Sequence, residues 1–98
     1  MRLFPWHRRP GSHVPYKSLI ELRAASNFAL AFYNRGIAYY FQKDFDRAIA
    51  DYDQAIQFNA NNVHAYKNRG LAKRAKGDSA GSDADIAMAK QLNPSAGN

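Results

Sequence analysis

A chain of 98 residues has room for one small domain, near the size where a single hydrophobic core is only modestly stable. It holds no cysteine, which excludes a disulfide framework and a thiolate metal site, and no apolar run approaches the roughly 20 residues of a membrane helix. The net charge of +6 is uneven: residues 1–25 carry +4, residues 26–62 carry −1 and residues 63–98 carry +3, which argues against one continuous basic surface for nucleic acid.

The opening stretch MRLFPWHRRPGSHVP has three prolines and one glycine in fifteen residues, so no regular helix forms there. It lacks the apolar centre of a secretory signal, and the cytoplasm is the default compartment. Residues 1–14 read as a flexible basic arm. A sharper reading makes it a docking arm, with Phe4 and Trp6 buried on a partner and Arg8 and Arg9 meeting acidic groups. Pro15 suits the first turn of a helix, and residues 15–25 are expected to form a short leading helix. Its run Tyr16 to Leu22 resembles Tyr52 to Phe58, as the last turns of a preceding, truncated repeat would.

Ser26 and Asn27 offer capping groups for a further helix that continues to about Gln42. Phe32, Arg35 with Gly36, and Tyr39 fall at i, i+3/i+4 and i+7, one stripe facing a neighbouring helix. Asp44 is placed to cap the next helix, and Asp46 sits in its first turn, where the helix dipole favours a carboxylate. Phe45, Ala48, Ile49, Tyr52, Ala55, Ile56 and Phe58 form its apolar face, and the run Asn59 to Asn62 ends it.

Residues 63–96 repeat this plan. Set without a gap under residues 29–62, they give identities at Ala31/Ala65, Asn34/Asn68, Arg35/Arg69, Gly36/Gly70, Ala38/Ala72, Asp44/Asp78, Ala50/Ala84, Asp51/Asp85, Ala55/Ala89, Gln57/Gln91 and Asn59/Asn93. Self-similarity at a fixed period of this size marks a stacked repeat. Glycine costs about 1 kcal/mol in a helix interior relative to alanine, so its presence at Gly36 and Gly70 predicts close backbone approach. A turn at Gly77-Asp78 leads to a final helix near Ser79–Leu92, stopped by Pro94. There Tyr39 becomes Lys73, Phe45 becomes Ser79, Ile49 becomes Asp83 and Ile56 becomes Lys90, the polar outer face that a terminal unit of a solenoid needs. The expected fold is all-α: antiparallel helical hairpins stacked as a short solenoid.

These residues resemble the tetratricopeptide repeat. That pattern has a large aromatic, a glycine and a tyrosine on the first helix, then alanine, an aromatic, alanine and a proline. The first copy supplies Phe32, Gly36, Tyr39, Ala48, Tyr52 and Ala55, with Ala60 in the proline's place; the second keeps Tyr66, Gly70, Ala89 and Pro94. Lys73, Ser82 and Ile86 depart from it, and Arg35 and Arg69 stand where leucine is usual. The resemblance implies a right-handed stack whose first helices line a concave groove for an extended peptide or a partner's helix. The groove candidates it implies are Leu30, Tyr33, Asn34, Ile37, Tyr40 and Phe41 from the first hairpin. From the second they are His64, Lys67, Asn68, Leu71, Arg74 and Ala75. An acidic, amphipathic peptide would complement them, with Lys67 and Arg74 pairing its acids and Asn68 bonding its backbone.

Catalysis is not expected. His7, His13 and His64 are scattered, no serine has a nearby base with an orienting partner, and no glycine-rich phosphate loop exists. Asp44, Asp46, Asp51 and Asp53 lack the glycine and terminal glutamate of a calcium loop, and capping and solvated charge account for them. No cofactor or metal is implied. Weak, salt-sensitive nucleic-acid binding by the basic arm is the alternative function. Two repeats fall short of the three usually needed for stability, and Tyr33, Tyr40 and Phe41 are expected at an N-terminal end that only a short helix covers. A homodimer through that side follows, with Leu19, Ile20 and Leu22 as its candidate residues.

Overall fold

The computed structural model describes residues 19–94, with side chains from residue 23 onward. The expected arm, the start of the leading helix and residues 95–98 lie outside the described residues. Among the described residues four helices follow one another: α1 (Leu19–Phe41), α2 (Phe45–Phe58), α3 (Val63–Ala75) and α4 (Ser79–Leu92). α1 packs chiefly on α2 and α3 on α4, while α2 lies against α3 and α1 touches α3 only slightly. This is the all-α, stacked-hairpin architecture that the repeat predicts. No described helix is long and apolar enough to cross a membrane.

Local chemistry sets the boundaries. Asp44 caps α2 by accepting from the Arg47 N–H at 3.3 Å, Asn62 caps α3 from Ala65 at 3.0 Å, and Asp78 caps α4 from Gly81 at 2.8 Å. Both hairpin turns close in the left-handed region, at Lys43 (φ 65°) and at Gly77 (φ 98°). In the first, Asp44 N–H reaches Tyr39 O and Lys43 N–H reaches Tyr40 O, each at 2.9 Å; Asp78 to Lys73 and Gly77 to Arg74 repeat the pattern. This pair of hydrogen bonds satisfies carbonyls that the helix end leaves open. Lys43 is a non-glycine residue in a conformation that favours glycine.

One expected boundary is absent. α1 runs unbroken through Ser26 and Asn27, so these residues cap nothing, and the leading helix is fused to the first helix of the repeat. No glycine or proline lies between residues 16 and 35. Serine and asparagine each cost about 0.5 kcal/mol relative to alanine in a helix interior, too little to stop propagation already under way.

The core is built from small residues around one large one. Ala29, Ala48 and Ala55 are buried with Tyr52 in the first hairpin, and Ala65, Ala72 and Ala89 in the second. A Cβ on Gly36 would come within 2.7 Å of the Tyr52 ring, so the ring lies directly on the α1 backbone. On Gly70 a Cβ would meet Ser82 O at 3.1 Å and the Asp85 Cβ at 3.2 Å. Close approach at both glycines is what the sequence predicts. Phe58 at the end of α2 stacks on Phe32 and tilts against Phe28, with centroids 5.9 and 5.5 Å apart. Ser79, Asp83 and Lys90 are all exposed, consistent with a polar closing face on α4.

Candidate functional site

The phase of α1 carries Ile37, Tyr40 and Phe41 past the Tyr52 ring toward α3, whose Asn68 and Leu71 face them. Together these six residues line an open cavity of about 320 Å³ between the two hairpins. Its walls are apolar and aromatic with one amide, the usual make-up of a recognition pocket. Tyr40 is fixed edge-on between Phe41 and Phe45, at centroid distances of 5.9 and 5.4 Å. Phe41 is 77% exposed, the most exposed large apolar side chain among the described residues. The Asn68 Nδ2 donates to the Tyr33 hydroxyl at 3.1 Å, tying the first helices of the two hairpins together. Asn68 therefore has one donor already engaged. Burial, with smaller contributions from Tyr33, Tyr40 and Asp51, pushes the Tyr52 hydroxyl up to about 12. Tyr52 is a neutral wall of the cavity at physiological pH.

The expected groove residues separate into groups. Ile37, Tyr40, Phe41, Asn68 and Leu71 meet at the cavity, and Tyr33 supports it through Asn68. Asn34, His64 and Arg74 are exposed outside its lining, and Lys67 is half-buried. Tyr52 was expected only on the apolar face of α2; its ring is large enough to serve the core and the cavity floor at once. Tyr40 and Phe41 face α3 rather than the N-terminal side, because α1 turns their phase toward the second hairpin. The expected self-association residues Leu19, Ile20 and Leu22 begin α1, but their side chains lie outside the described residues.

A second arrangement appears at both hairpin interfaces. Arg35 donates from Nε and Nη2 to the two carboxylate oxygens of Asp51 at 2.7 and 2.8 Å. Arg69 does the same to Asp85 at 2.8 and 2.7 Å, and its Nη1 adds Asp53 of α2 at 2.8 Å. Lys73 lies 3.1 Å from Asp85 Oδ2, the oxygen that also accepts from Arg69 Nε, and Lys76 pairs with Asp46 across the hairpins. Each arginine also lies over the aromatic ring three residues before it on its own helix, Phe32 at 5.6 Å and Tyr66 at 5.4 Å. Asp51 is thus not the solvated helix-face charge expected of it. It is buried, and so is Asp85. Burial pushes the Asp85 carboxyl up, but the bonds from Arg69 and Lys73 outweigh it and hold it below the usual range. Both arginines are held more firmly protonated by their carboxylates. Among the described residues no cluster of three or more metal-ligating side chains occurs.

The model of the tetratricopeptide repeat family matches residues 29–62, the first hairpin with its turn and caps. Residues 29–62 are a tetratricopeptide repeat. Residues 63–96 copy its plan at an offset of 34, with the same Arg–Asp fork and the same left-handed turn. Tetratricopeptide repeats are non-catalytic modules that mediate protein–protein interaction. No curated protein matches the chain.

Proposed function

We propose that this chain binds an extended peptide or a helix of a partner protein in the cavity between its two hairpins. The observation that carries this reading is the cavity itself, where Ile37, Tyr40, Phe41 and Leu71 present apolar surface across the hairpin junction with Asn68 among them. An apolar anchor of the ligand fills the space beside Phe41, and exposed Arg74 near the end of α3 favours a ligand that carries acids. Selection from a peptide library followed by calorimetry tests it. The selected peptides combine an aliphatic or aromatic anchor with acidic residues, and Phe41→Ala weakens them at least about tenfold. Peptides that bind Phe41→Ala as tightly as the original chain contradict the reading.

Self-association through the N-terminal side is a second reading, favoured by Phe28 and Leu30 of α1, which are 53% and 56% exposed. Mass measured by light scattering over a wide concentration range tests it; a monomer throughout contradicts it.

A further inference from the structure

The two hairpins expose the same helix face to different surroundings. On α3, Ala65 and Ala72 are completely buried, and Arg69 between them has only 18% of its side chain exposed. α2 packs on this helix and brings Asp53 to the Arg69 Nη1. On α1, thirty-four residues earlier, the equivalent Ala31 and Ala38 are exposed and Arg35 is 59% exposed. Among the described residues the Arg35 Nη1 has no carboxylate. Beside it a groove of about 240 Å³ opens between Phe28, Ala31, Phe32 and Arg35. Residues at i, i+3, i+4 and i+7 form the hole that receives a side chain from a facing helix.

The missing carboxylate has few sources. Residues 1–20 contain no aspartate or glutamate. A second copy stacked end to end would offer α4, which has Ala87 where α2 has Asp53 and Lys90 where α2 has Ile56. That arrangement puts no acid at the place of Asp53, the nearest being Asp83 one turn away, and adds a like charge at Lys90. Glu21 is different. It lies on α1 fourteen residues before Arg35, about 21 Å along the axis and within about 40° of the same side of the helix. Ala24, Phe28, Ala31, Arg35 and Ala38 continue from it at alternating spacings of three and four, the seam of a helix pair.

Resting on the self-association reading, we propose that a second copy of this chain packs its α1 antiparallel on this face, about a twofold axis at Phe28. One alignment then brings Glu21 of each copy level with Arg35 of the other, at both ends of the seam. Ala24, Ala25 and Ala31 let the helices approach closely between them. The pairing also covers the first turns of α1, which is 23 residues long against the 14 of α2.

The chain has no cysteine, so an introduced one reports position without competition. Under mild oxidation the full chain carrying Phe28→Cys forms a disulfide-linked dimer. Ala38→Cys does not, since its two copies would lie about 30 Å apart along the seam, far beyond disulfide reach. An equimolar mixture of Ala25→Cys and Ala31→Cys links across, while each alone does not, which keeps the test independent of losing the Phe28 ring. Glu21→Lys raises the dimer dissociation constant at least about tenfold. A dimer in which neither Phe28→Cys nor the mixture links overturns the seam and leaves self-association standing. A chain that is monomeric throughout overturns both.

Discussion

The guanidinium of Arg69 holds the carboxylate of Asp85 with two parallel bonds, at 2.8 and 2.7 Å, and Arg35 holds Asp51 in the same fork one repeat earlier. Where the family usually has leucine, each hairpin here joins its helices through a bidentate ion pair. The two pairs differ in how water reaches them. The Arg69 side chain is 18% exposed and the Arg35 side chain 59%. Asp85→Ala therefore leaves a largely buried cation without its main partner and destabilises the fold by about 2–4 kcal/mol. Asp51→Ala leaves an arginine that water can solvate, and costs less. Urea unfolding of the two variants checks the order.

Two groups give the fold a pH dependence. The Asp85 carboxyl sits below its unfolded value of 3.8, so its contribution is present above about pH 4 and is lost as pH falls through the folded value. Tyr52 sits above its unfolded value of 10.0, at about 12. The unfolded chain then releases this proton first, and stability falls as pH rises from 10 toward 12. A titration followed by tyrosinate absorbance shows Tyr52 ionising late, together with unfolding. Tyr52→Phe removes that late step.

The hairpin turn and the helix crossing give opposite expectations for glycine. Lys43 occupies the left-handed position that Gly77 fills in the second hairpin, so Lys43→Gly stabilises the fold by up to about 1 kcal/mol. Gly36→Ala places a methyl group 2.7 Å from a fully buried ring and destabilises it by about 1–3 kcal/mol, despite the better helix propensity of alanine. Thermal unfolding of both variants reads the two signs.

Ser82 is completely buried, and its hydroxyl has no hydrogen-bond partner among the described residues. Ala48 holds the equivalent, equally buried place in the first hairpin. Ser82→Ala removes an unsatisfied polar group and raises stability by about 1 kcal/mol, measurable as a higher denaturation midpoint with unchanged slope.

The hairpins were legible in the sequence because several local signals agreed. The caps Asp44 and Asp78 mark the starts of α2 and α4, the glycines Gly36 and Gly70 mark the crossings, and the period of 34 ties the two hairpins together. Ser26 and Asn27 are capping residues in type, but they mark no boundary, because nothing around them stops the helix from propagating. The Arg–Asp forks left a trace, since Arg35/Arg69 and Asp51/Asp85 recur at a constant separation of 16. Helical phase alone could not say that those groups face each other across the hairpin. The cavity was legible on the side of α1 and α3. The part of Tyr52 in the cavity leaves no separate trace in the sequence, because its place on the apolar face of α2 already accounts for it.

The central claim is that the space between the hairpins receives a partner. The most direct measurement is an NMR titration of the isotopically labelled chain with a selected acidic, amphipathic peptide. The account predicts saturating shifts that cluster at Ile37, Tyr40, Phe41, Tyr52, Asn68 and Leu71. Saturating shifts confined to α4 or to the outer face of α2, with those six residues unmoved, would contradict it.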